Sequence, residues 1–209
     1  MGRNLNPKCK QCRRAGQKLF LKGERCNSPK CAMVKRNYPP GIHGSKGYGR
    51  LTDFGVQLRE KQKAKKIYRL MEAQLKNYFQ KASKSRGNTE SALWQYLEMR
   101  LDNIVFRTGF AKSRDFARQL ISHGHFLVNN KKVNIPSFQA KIGDLITLKE
   151  KSKNNKIFGN LKEQLKKAEP VSWLAVDLNK LEAKVTAKPD LPEAKGEFEP
   201  KLVIEFYSK

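Results

Sequence analysis

Apolar residues recur at helical spacing through the middle of the chain and give way to short runs and alternation after residue 125. Thr52 is placed to cap a helix starting near Asp53, whose apolar stripe is thin, with Leu58, Ile67 and Leu70 set among Arg59, Lys61, Lys63, Lys65, Lys66 and Arg69. Leu75, Tyr78 and Phe79 predict a second helix over residues 72–83, ending before Gly87-Asn88. Thr89 reads as the cap of a third. Leu93, Trp94, Leu97, Leu101, Ile104 and Val105 then hold the period from 91 to 106, which predicts one unbroken helix. Ser113 caps a short amphipathic helix with Phe116, Ala117, Leu120 and Ile121 on its apolar side, and Gly124 supplies a left-handed stop.

Strand signals follow. Phe126, Leu127 and Val128 make a short apolar run, Asn129-Asn130 offers a turn with positive φ, and Lys131 and Lys132 lead into Val133, so a hairpin with a basic tip is expected. A Gly143-Asp144 turn feeds a third strand at 145–148. Residues 151–169 read as a helix interrupted at Gly159, and 170–178 as an apolar run that packs. Prolines and acids around Pro189, Pro192 and Pro200 read as a loose acidic loop suited to a protein neighbour, and 202–207 as a closing strand. The expected fold is α+β: an N-terminal arm and strap (1–50), a helical domain (51–98), a helix-pair and sheet module inserted in it (99–150), and a C-terminal return packing on the helical domain (151–209).

The arm contains almost no core, since Leu19, Phe20, Leu21 and Met33 are nearly its only sizeable apolar side chains. Segments below about 40 residues seldom fold without a staple. All four cysteines lie here, as Cys9-x2-Cys12 and Cys26-x4-Cys31, a spacing that suits a four-thiolate metal site. Structural zinc is the expected ion, and it contributes about 10–16 kcal/mol in finger peptides. An iron–sulfur cluster could use the same ligands. Disulfides or a redox CxxC fit poorly with a reducing compartment, which is expected because the opening MGRNLNPKCK has no apolar secretory region.

Charge changes the picture further. Net charge is +25 from 44 basic and 19 acidic residues, and it is graded, with 13 basic residues and 1 acidic in positions 1–50. Such an excess needs a polyanion, and nucleic acid is the leading candidate. The longest apolar runs, near 126–128 and 202–204, are far too short to span a membrane. Arg3, Lys10, Arg13, Arg14, Lys22, Arg25 and Lys30 surround the cysteines and are expected to face phosphates. Residues 36–50 form a Pro/Gly-rich strap carrying Arg36, Tyr38, His43, Tyr48 and Arg50. Its Gly41-Ile42-His43-Gly44 lacks the helices of a GxxG fold. In the first helix Arg59, Lys61 and Arg69 are the candidate contacts. Acids are too scarce there to pair every cation, although a solvated face is the ordinary reading of a charge run.

In the module, Arg114 and Arg118 lie four apart and so share a face away from the apolar stripe, flanked by His123 and His125. The order of helix pair, Ser113-Arg114-x2-Ala117-Arg118-Gln119-Leu120, His123-Gly124-His125, Val128-Asn129-x-Lys-x-Val133 and Gly143-Asp144-x-Ile146 resembles the S4 RNA-binding module. Asn130 stands where related modules often carry glycine, and asparagine also tolerates the left-handed region. The resemblance implies RNA contacts at Arg107, Ser113, Arg114, Arg118, Gln119, His123, Gly124, His125, Asn129, Lys131 and Lys132. For His123 a structural role at the helix end is an equal alternative.

The opening MGR, the cysteine pattern with GERCNSPKCAM, PPGIHG, LREKQKAKKIYR and the terminal LVIEFYSK extend the likeness along nearly the whole chain, which is similar to the S4 family of bacterial small-subunit ribosomal proteins. That resemblance implies direct binding of small-subunit ribosomal RNA early in assembly and contact with neighbouring ribosomal proteins. It also implies a place near the channel through which messenger RNA enters, an influence on decoding accuracy, and membership of a metal-binding subgroup. No small-molecule substrate and no catalysis are expected. Arg100-Leu101-Asp102 imitates a pseudouridine-synthase motif, but the catalytic domain is missing. A zinc-dependent DNA regulator would need a recognition helix where Gly16, Gly23 and Pro29 break the segment into loops.

Overall fold

The computed structural model describes residues 4–159, 161, 165, 171–190 and 197–208. Its described elements are α1 (Lys8–Ala15), α2 (Glu24–Asn27), α3 (Ala32–Lys35), a 3-10 turn (Ile42–Lys46), α4 (Asp53–Ile67), α5 (Glu72–Ser83), α6 (Thr89–Glu98), α7 (Leu101–Arg107), α8 (Arg114–Ser122), β1 (Phe126–Val128), β2 (Lys131–Lys132), β3 (Leu145–Leu148), α9 (Glu150–Lys153), a second 3-10 turn (Lys156–Phe158), β4 (Leu174–Asp177), β5 (Glu182–Val185) and α10 (Pro200–Tyr207). They divide into two units, residues 1–94 with 190–209, and residues 95–189. Among the described residues no helix is long and apolar enough to cross a membrane.

In the first unit α4 is the central rod. Thr52 accepts a hydrogen bond from the Gly55 N–H (3.2 Å) and so caps it. Tyr68, Leu70, Leu75, Leu93 and Trp94 are buried in this unit. The Tyr68 ring meets Trp94 and Phe198 edge-on, with centroids 6.4 and 6.1 Å apart. Asn88, one residue earlier than expected, caps α6, its Oδ1 accepting from the Glu90 N–H at 2.8 Å.

Residues 202–207, expected as a strand, form the helix α10. Pro200 occupies its first turn, where a fixed φ suits a helix. Helical winding also groups Val203, Phe206 and Tyr207 toward α4 and α5, so that Phe206 lies 5.5 Å from Phe54 and Tyr207 stacks on Phe79 at 5.2 Å. Packing of aromatics overrides the β preference of Leu-Val-Ile.

The second unit holds a five-stranded antiparallel sheet in the order β2-β1-β3-β5-β4, with α7 and α8 covering its core. The hairpin turn uses Asn129 and Asn130 at φ 49° and 64°. The return was expected to pack on the helical domain, yet β4 and β5 extend the module's own sheet and bury Trp173, Ala183 and Val185 in its core. The single helix expected over 91–106 is broken at Met99-Arg100. The Leu101 N–H donates to the Phe138 carbonyl and the Ala140 N–H to the Met99 carbonyl, each at 2.9 Å, so the chain runs extended between α6 and α7. Of the helix expected over 151–169, α9 and the turn after it take the first part, and most of the remainder lies outside the described residues.

Candidate nucleic-acid interface

The cations sort into two classes by what they touch. In the first unit Lys61 is 5% and Arg69 4% exposed. Lys61 Nζ pairs with Glu72 at 2.7 Å and sits 4.5 Å from the centre of the Phe206 ring. Arg69, itself at φ 56°, donates to Gln11 Oε1 (3.2 Å) and to the Asn4 carbonyl. Both were expected on an RNA-facing surface and instead hold the unit together. Glu72 also accepts from Lys65 (2.9 Å) and from the Tyr207 hydroxyl (2.7 Å). Partial burial pushes its carboxyl up, but those three donors outweigh it and hold the group down at about 2. Arg13 is partly inward too. It donates to the Tyr38 and Pro39 carbonyls (2.8 and 3.1 Å) and lies over the Tyr38 ring, which fastens the strap to α1.

The module's arginines turn inward as well. Arg114 and Arg118 are 9% and 5% exposed, contrary to the outward face expected of them. Arg114 Nε donates to Asn103 Oδ1 (2.8 Å), and its guanidinium lies 4.6 Å above the Phe106 ring and 4.0 Å from Glu98. Arg118 Nη1 stands 3.6 Å from Asp102 Oδ2. Arg107 grips Glu98 through two nitrogens, at 2.9 and 3.1 Å. Asp102 takes a two-point grip from Arg100 at 3.0 and 2.6 Å, so the Arg-Leu-Asp triplet is a buried structural clamp. The Ser113 hydroxyl is buried as the α8 cap, accepting from the Phe116 N–H.

Of the module's candidate contacts, those left outward lie at the end of α8 and the hairpin tip. Gln119, His123, Lys131 and Lys132 are exposed there. Gly124, at φ +74°, lies under Lys132: a Cβ at this position would fall 2.4 Å from Lys132 Cε. The lysine therefore crosses the negative end of the helix, a favourable place for a cation. His125 is half-buried, with Nδ1 2.9 Å from Ser152 Oγ and its ring edge-on to Phe158. Burial first, then His123 and Lys149, lower its pKa, so it favours the neutral form. Asn129 clamps the sheet, donating to Asp144 and accepting from the Leu145 N–H.

On the arm and strap Lys10, Arg14, Lys22, Arg25, Lys30, Arg36, His43 and Arg50 are exposed, whereas Arg3 lies outside the described residues. The four cysteines line a single cavity of about 20 Å³. Burial raises the Cys12 thiol and so do the other three cysteines, while a hydrogen bond from the Leu19 backbone opposes them. The Lys22 N–H points at Cys26 Sγ from 3.3 Å. Among the described residues no three His, Cys, Asp or Glu side chains converge, as they stand, into a ligand set.

A larger cavity of about 580 Å³ opens between the strap and α4, with Arg14, Arg50, Arg59 and Lys66 on its walls. Lys66 is pushed down by burial and by its neighbours Lys65 and Arg14. This lysine and Gln62 were missed as candidates. The signal lay in helical spacing, since 59, 62 and 66 share one face of α4, whereas Lys61 falls on the buried face with Gln57 and Ala64.

Two sequence families match the chain. One, described as "Ribosomal protein S4/S9 N-terminal domain", covers residues 3–98, and the other, "S4 domain", covers 99–146. Similar proteins include "Small ribosomal subunit protein uS4A" of Alkaliphilus metalliredigens, 50% identical, and "Small ribosomal subunit protein uS4" of Thermus thermophilus and of Heliobacterium modesticaldum, 47% and 46% identical. Each alignment covers 209 residues and all of both chains.

Proposed function

The chain belongs to the S4 family of small-subunit ribosomal proteins, and from that premise we propose that it works by presenting two preformed cationic surfaces to folded ribosomal RNA. It is a structural, non-enzymatic constituent of the small subunit and binds the subunit's RNA. The observation that carries the mechanism is the sorting of charge. Inward arginines and lysines are consumed by carboxylates and carbonyls, while the cations of the arm, the strap and the hairpin tip are left to solvent. Phosphates are met by positions fixed in advance, and shape is recognised rather than base sequence alone. Competing small-subunit ribosomal RNA against duplex DNA at physiological salt tests this. The RNA is expected to win, and preference for the duplex overturns the reading.

The arm is read as holding a structural zinc ion through Cys9, Cys12, Cys26 and Cys31. Three features support it. The cysteines share one cavity of about 20 Å³, comparable to the roughly 10–15 Å³ that one water-sized body needs. Backbone N–H groups of Leu19 and Lys22 point at two of the sulfurs. The arm's own core is small. Zinc would supply the cross-link that this core lacks. Elemental analysis is expected to give one zinc per chain, and a chelator is expected to raise hydrogen exchange in the arm alone. Iron with visible absorption would assign an iron–sulfur cluster instead.

Family resemblance further supports contacts with neighbouring small-subunit proteins, a position beside the channel through which messenger RNA enters, and an effect on decoding accuracy. Crosslinking in assembled subunits and a misreading reporter test these points.

A further inference from the structure

We propose that the cavity between the strap and α4 seats a single unstacked nucleotide of the bound RNA; this rests on the RNA-binding function given above. The cavity, about 580 Å³, lies within the roughly 300–1,000 Å³ usual for small-molecule sites. Arg14, Arg50, Arg59 and Lys66 line it and no acidic residue does. Neither Arg14, Arg50 nor Lys66 makes an ion pair among the described residues. Such crowding of like charge calls for an anion.

The same cavity also exposes apolar surface. Ile42 is 95% exposed and Leu51 is exposed too, and both belong to its lining. Inorganic phosphate would need only the cations, and an acidic peptide would leave the apolar wall unexplained. A nucleotide has both parts, an anionic phosphate and a flat apolar base whose edge the Gln62 amide could read. A base stacked within a duplex could not enter, so the ligand must be unpaired.

The seat is built rather than induced. Tyr48 donates from its hydroxyl to the Arg13 carbonyl, carries Arg59 over its ring at 5.4 Å, and packs on Gly16, where a Cβ would lie 3.5 Å from the ring. Gly44 passes so close beneath the Pro39 carbonyl that a Cβ would fall 1.9 Å from its oxygen, which fixes the strap's path.

The test uses the full chain, small-subunit ribosomal RNA and a fully paired RNA duplex of matched length. Replacing Ile42→Ala and Leu51→Ala together leaves charge unchanged. It is expected to weaken ribosomal RNA binding by about fivefold or more, with no effect on the duplex or on the salt slope. A photoreactive residue in place of Ile42 is expected to crosslink to one unpaired nucleotide. If the parent binds ribosomal RNA and the double variant matches it on both RNAs, or loses equally on both, the nucleotide seat is overturned and the general function stands. If the parent itself fails to bind ribosomal RNA, the function falls and this proposal falls with it.

Discussion

Arg118 Nη1 stands 3.6 Å from Asp102 Oδ2 inside the second unit, each side chain 6% exposed, and Arg100 holds the same carboxylate from another side. Removing Arg118 leaves Asp102 still gripped by Arg100 at two points but forfeits a buried interaction with a charged group. Arg118→Ala is therefore expected to destabilise the protein by about 1.5–3 kcal/mol. Urea unfolding checks this, and an unchanged midpoint with lost RNA affinity would return Arg118 to the surface role its sequence context suggests.

That context shows where the sequence was legible and where it was not. Helices α4 and α8 declare themselves because cap and stripe agree, Thr52 and Ser113 both accepting the expected N–H. Arg114 and Arg118 sit opposite an apolar stripe, which ordinarily means solvent. Their partners Asn103 and Asp102 are supplied by α7, and no local pattern announces that. The break at Met99-Arg100 is equally silent, since apolar period continues across it while the deciding bonds come from residues 138–140. Strand β5, Glu-Ala-Lys-Val, is too short and polar to stand out, and exists because β3 and β4 pair with it.

Glu72 predicts an acid dependence. Its carboxyl titrates at about 2 when folded against an ordinary value of 4.5. A depressed acid contributes stability that is present above the unfolded value and is lost as pH falls from 4.5 toward 2. The side chain is 45% exposed, so screening reduces the contribution to about 1–2 kcal/mol. Glu72→Gln is expected to lower stability at pH 7 by that amount and to flatten the acid limb. Parallel pH profiles for the two proteins would contradict the assignment.

Gly124 combines a left-handed φ of +74° with Lys132 lying across it. Gly124→Ala is expected to cost about 1–2 kcal/mol for the backbone alone, plus whatever moving Lys132 requires. Adding Lys132→Ala removes the second part and not the first, so the double variant should recover some, not all, of the lost stability relative to Lys132→Ala. Full recovery in thermal melts would mean that the backbone strain is absent.

Salt dependence separates the two classes of cation most sharply. If about 6–10 phosphates are neutralised, affinity should fall by about 10³–10⁵ between 50 and 200 mM salt on duplex-like RNA, with a shallower fall where the strand is single. Each outward lysine that meets a phosphate, such as Lys22 or Lys131, should lower the log–log slope by about 1 when changed to alanine and leave the melting temperature almost unmoved. Lys61→Ala and Arg69→Ala should do the reverse, because their charges are already satisfied by Glu72 and by the Gln11 and Asn4 oxygens. The slope counts ions released at the RNA surface, so a buried cation cannot contribute to it however much the fold needs that side chain. Finding that Lys61→Ala flattens the slope at unchanged stability would place its ammonium on the RNA and overturn the division between structural and binding cations.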